Sequence, residues 1–182
     1  MIQRSDAEIL LERARALAAD RPESGVAVSS AHDRYLVAVC GADRLAIALE
    51  SVAEVFRPIS VTPTPRSIAP LYGLSSWRGS ILPVVVIGES VPDQGSGVIV
   101  TLAAGSRIIA GLWVNEVEGE IAIGKDEIHP TGAATGIRES LVSGVTSDAK
   151  SVFDAGGLAR LLDERTTKTD RDTARNSMGI TV

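Results

Sequence analysis

Cysteine is almost missing from this chain: among 182 residues there is only Cys40. One thiol makes no internal disulfide, and its place in an apolar run predicts a buried structural thiol rather than a reactive one. Aromatic residues are scarce at 3%, so the core must be aliphatic, although 45% of the chain is hydrophobic and excludes wholesale disorder. Histidine occurs twice, as His32 and His129, with no cysteine or acid at ligand spacing. No metal site is therefore expected. Positive charge is outnumbered, 18 basic against 23 acidic residues, for a net charge of −5. Phosphate binding calls for a basic stripe, and none is visible, which argues against nucleic acid. The apolar runs 81–87 and 108–114 are too short to cross a bilayer as helices, which takes about 20 residues. The start, Met1-Ile2-Gln3-Arg4, lacks a basic and then apolar leader pattern. A cytoplasmic protein without membrane insertion is expected.

What is present is mostly strand. Ser5-Asp6-Ala7-Glu8 has the form of a capping box, and Ala7, Leu10, Leu11, Ala14, Leu17 and Ala18 follow at helical spacing. The spacing predicts an amphipathic helix over 5–21, its face turned to its own domain or to a partner, and then a linker. From Arg34 the period becomes two. Strands are expected at 34–40 and 44–49, with Leu45, Ile47 and Leu49 on one face and alanines opposite. Pro58, Pro63 and Pro65 exclude a helix and make an arm. Residues 66–74 suggest one helical turn, and Trp77-Arg78-Gly79-Ser80 a tight turn into a strand at 81–87. A hairpin over 98–102 and 107–114, a short strand at 121–123, strands at 141–145 and 151–153 and a short closing helix at Leu158–Leu162 complete the order. Residues 164–182 are polar and predict a disordered tail. Many short strands mean an all-β sandwich or barrels. No internal repeat stands out.

Chemistry is hard to find. There is no Ser/His/Asp set, and the glycines match neither a phosphate loop nor a dinucleotide fingerprint. Neither a nucleotide nor another cofactor is expected. Glu116, Glu118 and Glu120 alternate and could share a face for acid–base work, but read more simply as a solvated turn between strands.

One stretch is more informative. Leu71-Tyr72-Gly73-Leu74-Ser75-Ser76-Trp77-Arg78-Gly79-Ser80-Ile81-Leu82-Pro83-Val84 resembles the signature block of the CheW family of chemotaxis coupling proteins. The blocks 35–55, 61–65 and 98–117 resemble its opening hairpin, proline arm and second-half hairpin, so the likeness covers about residues 33–163. It implies two small five-stranded, SH3-like barrels packed together, and no catalysis. It also implies two partners, the regulatory domain of a chemotaxis histidine kinase and the cytoplasmic tip of a chemoreceptor, in membrane-attached arrays. Carried over by position, Val52, Glu54, Gly73, Arg78 and Gly79 would lie at the contact surfaces. The residues are compatible with that. Gly79 permits the turn, and the planar fork of Arg78 can pair with a carboxylate, Glu54 being the candidate. Two readings stay open for each key residue: Arg78 as a contact or a tie between loops, Val52 as an exposed contact or ordinary core. The family often has Asp where Val86 and Asn115 stand here. A different class, a small β-barrel enzyme or ligand carrier, is distinguished by a clustered titratable set beside a glycine loop.

Overall fold

The computed structural model describes residues 32–65, 67–88, 91–131 and 139–165. The expected helix over 5–21 lies outside them, as does the expected disordered tail over 164–182 apart from residues 164 and 165, which are helical. Among the described residues, twelve strands form two six-stranded sheets. The first contains β1 (His32–Cys40), β2 (Asp43–Ala48), β9 (Glu116–Gly124), β10 (Ile128–His129), β11 (Val142–Thr146) and β12 (Ser151–Phe153), in the order β10-β11-β12-β2-β1-β9. The second contains β3 (Val52–Phe56), β4 (Thr62–Pro63), β5 (Leu71–Trp77), β6 (Ser80–Val85), β7 (Val98–Ala104) and β8 (Arg107–Val114), in the order β3-β7-β8-β6-β5-β4.

The two orders follow one plan. Each sheet has a central hairpin, β1–β2 or β7–β8, joined by one parallel pair to an outer hairpin, β11–β12 or β5–β6. The edge strands of each sheet are consecutive in the chain: β9 and β10, and β3 and β4. That forces curvature. Three linking residues let Gly124 and Ile128 lie at most about 14 Å apart, whereas the edges of a flat six-stranded sheet would be about 24 Å apart. The first sheet must therefore roll up. The resemblance implied five strands per barrel; each ladder here has six, one of them only two residues long.

Strand alternation feeds three cores. Leu36, Ala38, Cys40, Leu45 and Ile47 from the first sheet meet Val85, Val100, Leu102, Leu112 and Val114 from the second in a central core. The opposite faces of the same strands line an inner cluster in each sheet: Tyr35, Ala46, Ile123 and Val152 in the first, Val61, Leu82, Val84, Ile99 and Trp113 in the second. This is why the strands are apolar on both faces, and why alanines face away from Leu45 and Ile47. A rolled sheet needs small residues inside. A helix over 155–165 (α1) closes the central core with Ala155 and the fully buried Leu158. Asp154 caps it, its Oδ1 accepting from the Gly157 N–H at 2.8 Å.

Two expectations are corrected. Residues 71–74 begin strand β5 and are not part of a helical turn. Glu116–Glu120 is not a turn either: Glu116–Gly124 is one nine-residue strand along β1. Glu118 accepts from Arg44 at 2.9 Å, and Glu120 pairs with Arg34. The acidic alternation is the solvent side of an edge strand, where charge discourages pairing with another chain.

Candidate functional site

The β5–β6 hairpin turns on Arg78 and Gly79, with Trp77 and Ser80 paired beneath them. Their φ angles are +49° and +78°. Two positive φ values in a two-residue loop make a type I′ turn, which matches the twist of the flanking strands. Gly79 meets this without cost. Arg78 does not, since only a few per cent of non-glycine residues adopt positive φ. Its side chain is held by neighbours that offset the strain.

One of those neighbours comes from the far edge of the sheet. Glu54 lies on β3, separated from β6 in the ladder by β7 and β8. Its Oε2 nevertheless accepts two hydrogen bonds from the turn: Trp77 Nε1 at 2.7 Å and Arg78 Nε at 2.9 Å. The guanidinium carbon of Arg78 sits 5.2 Å from the centre of the Trp77 ring, within cation–π range. The second sheet therefore curls until its β3 edge meets its outer hairpin through side chains. Glu54 is held below the usual carboxylate range. The Trp77 hydrogen bond is the largest cause and Arg78 adds to it, while partial burial opposes both. Arg78 remains 69% exposed.

The same hairpin displays apolar surface. Ile81 is 75% exposed opposite Ser76, and Leu74 is exposed opposite Pro83. Val55, beside Glu54, is exposed as well.

The five residues proposed from the sequence divide. Glu54, Arg78 and Gly79 come together at this corner. Val52, at the start of β3, is half-buried and packs on the central core. Gly73 is buried in β5 opposite Pro63, and a β-carbon there would stand 2.2 Å from the Thr62 carbonyl oxygen. Close approach of β4 thus accounts for that glycine. Trp77 was not anticipated as a site residue. The available signal was an aromatic residue immediately before Arg-Gly.

No catalytic constellation accompanies this corner among the described residues. Among the described residues no group of three His, Cys, Asp or Glu could hold a metal ion, and no helix is long and apolar enough to cross a membrane. His32 and His129 are exposed at strand ends. Asn115, where the family often has Asp, accepts from the Gly41 N–H at 2.7 Å and so braces the β1–β2 turn.

The second sheet thus carries one ordered charged corner flanked by exposed apolar side chains. The sequence pattern of the CheW-like domain matches residues 34–165, and the chain belongs to that family. Among solved structures it resembles the scaffolding protein TtCheW from Thermoanaerobacter tengcongensis, at 23% identity and a TM-score of 0.55, over 67% of this chain and 87% of that one. A search of curated protein sequences finds no match. Membership of that family places the chain in chemotaxis-type signal transduction.

Proposed function

We propose that the chain couples a chemotaxis-type histidine kinase to a chemoreceptor without catalysing a reaction. The kinase's regulatory domain and the receptor's cytoplasmic tip are its partners. It resides in the cytoplasm, joined to membrane-attached arrays through the receptor, and requires no cofactor or nucleic acid. Val52, Glu54, Gly73, Arg78 and Gly79 mark the docking region, with Glu54, Arg78 and Gly79 at its exposed corner and Gly73 holding β4 in place.

The observation that carries this reading is the Glu54–Arg78 pair at the tip of a hairpin that also exposes Ile81 and Leu74. A fixed charge flanked by apolar surface is what protein interfaces use: apolar contact supplies affinity, and the charge sets register and partner choice. The competing reading, a small β-barrel enzyme or carrier, has no clustered titratable set to support it among the described residues.

Mixing the purified chain with the regulatory domain of its kinase and a receptor tip fragment tests the proposal. A ternary complex on size-exclusion chromatography is expected. A folded chain that elutes alone with both present would contradict it.

A further inference from the structure

We propose that Trp77 is the positioning residue of this docking corner: its indole holds the Glu54 carboxylate through a hydrogen bond and directs the free end of the Arg78 fork outward to a partner's oxygen acceptors. This rests on the adaptor reading for its purpose, but its physical basis is independent of it.

A guanidinium has two edges that can make paired hydrogen bonds, one formed by Nε with a terminal nitrogen and one by the two terminal nitrogens. Here Nε is engaged by Glu54. Among the described residues the two terminal nitrogens make no hydrogen bond, and the side chain is 69% exposed. The outer edge is thus free to receive a carboxylate or a pair of carbonyl oxygens.

An exposed ion pair alone would not hold that geometry, because long side chains lose entropy when fixed and water screens the attraction. Trp77 supplies what the pair lacks. It is half-buried against the inner cluster of the second sheet, so its ring is anchored. From that anchor its N–H reaches the same oxygen that Arg78 uses, at 2.7 Å. Its ring lies under the guanidinium at 5.2 Å. The donor fixes the acceptor while the ring restricts the cation, and a turn with positive φ at Arg78 is held in one arrangement. A purely aliphatic residue at 77 could fill the inner cluster equally well, but could do neither.

The test uses the full chain with labelled nitrogen and carbon. It has two indoles, and among the described residues the buried Trp113 Nε1 has no hydrogen-bond partner, so the two N–H resonances should be well separated. As pH falls from 7 to 3, the Trp77 resonance should move together with the Glu54 carboxyl carbon, at a midpoint below the ordinary value of about 4.3. In Trp77→Phe, which keeps an aromatic ring but removes the donor together with the second ring, the Glu54 midpoint should rise toward that value. Binding of the kinase regulatory domain should weaken about three- to tenfold, the scale of one ordinary hydrogen bond. An unchanged Glu54 midpoint in the variant would overturn the proposal. If Trp77→Phe fails to fold, Glu54→Ala takes its place: the Trp77 resonance should shift while that of Trp113 stays, and an unmoved Trp77 resonance would overturn the proposal equally. A wild-type chain that shows these titrations yet binds no kinase domain would leave the positioning role standing and remove the adaptor reading.

Discussion

The β11–β12 turn of the first sheet and the β5–β6 turn of the second occupy the same place in the same ladder plan, yet they end differently. The first closes on itself. Thr146 Oγ1 donates to Asp148 at 2.6 Å, the Lys150 N–H donates back to Thr146 Oγ1 at 3.0 Å, and the Lys150 ammonium pairs with Asp148. Ala149 takes the positive φ, at +64°. The second turn satisfies little within itself. Its charge is tied across the curled sheet to Glu54, and its apolar neighbours Ile81 and Leu74 face solvent. One backbone plan thus serves two ends. Where the turn's polar groups are consumed locally the loop is structural, and where they are tied at a distance a surface is left for a partner.

The comparison is most strongly tested where the two sheets depend on each other. Leu102 is fully buried in the core they share. Leu102→Ala should lower the stability of the whole domain by about 2–5 kcal/mol, in a single transition seen by denaturant titration. Two separate transitions would show that the sheets are energetically independent.

Next come the two glycines that admit the short edge strands. A β-carbon at Gly73 would meet the Thr62 carbonyl oxygen at 2.2 Å, whereas at Gly144 it would meet the Ile128 side chain at 2.5 Å and a backbone oxygen, that of His129, only at 2.9 Å. Gly73→Ala should therefore cost about 1–3 kcal/mol and Gly144→Ala less. Equal losses would mean that the two edges are equally rigid.

Acid should also separate the two turns. Asp148 is held below the usual carboxylate range, first by its hydrogen bond from Lys150 and then by that from Thr146. A carboxyl with a depressed folded pKa contributes stability that is present above its unfolded value, about 3.9, and is lost as pH falls through the folded one. Asp148→Asn should flatten the acid limb of the melting curve below about pH 4 and leave partner binding unchanged. A binding defect would contradict the purely structural role of this turn. The smallest effect belongs to the β9 edge. Arg44 and Glu118 pair with 53% and 35% of their side chains exposed, so Arg44→Ala should cost no more than about 1 kcal/mol by thermal melting.

Local features were legible from the residues alone. Hairpins β1–β2 and β7–β8 and the turn at Arg78 follow from alternation broken by glycine, and the Glu54–Arg78 pair follows from two matching blocks. The misread segments share a cause. Glu-Val-Glu-Gly-Glu looks like a turn because a single apolar residue, Val117, marks its inner face. The start of β5 looks like a helix because Gly73, Ser75 and Ser76 carry no strand preference. The common plan of the two sheets is hidden more deeply. It is a repeat of backbone pairing, including the parallel joints β2–β12 and β6–β8, and unrelated side chains can line the same ladder. The role of Trp77 depends on a contact with β3, 23 residues away, that exists only once the sheet has curled.

Receptor control of kinase activity in the reconstituted ternary system, measured for Arg78→Glu, Glu54→Arg and the double exchange, tests the central claim most directly. Each single change places like charges together at the corner, and control should fall about tenfold or more while the melting curve stays close to wild type. The exchange should recover part of the loss, since it restores an opposite-charge pair. Full control in a folded Arg78→Glu chain would contradict the account.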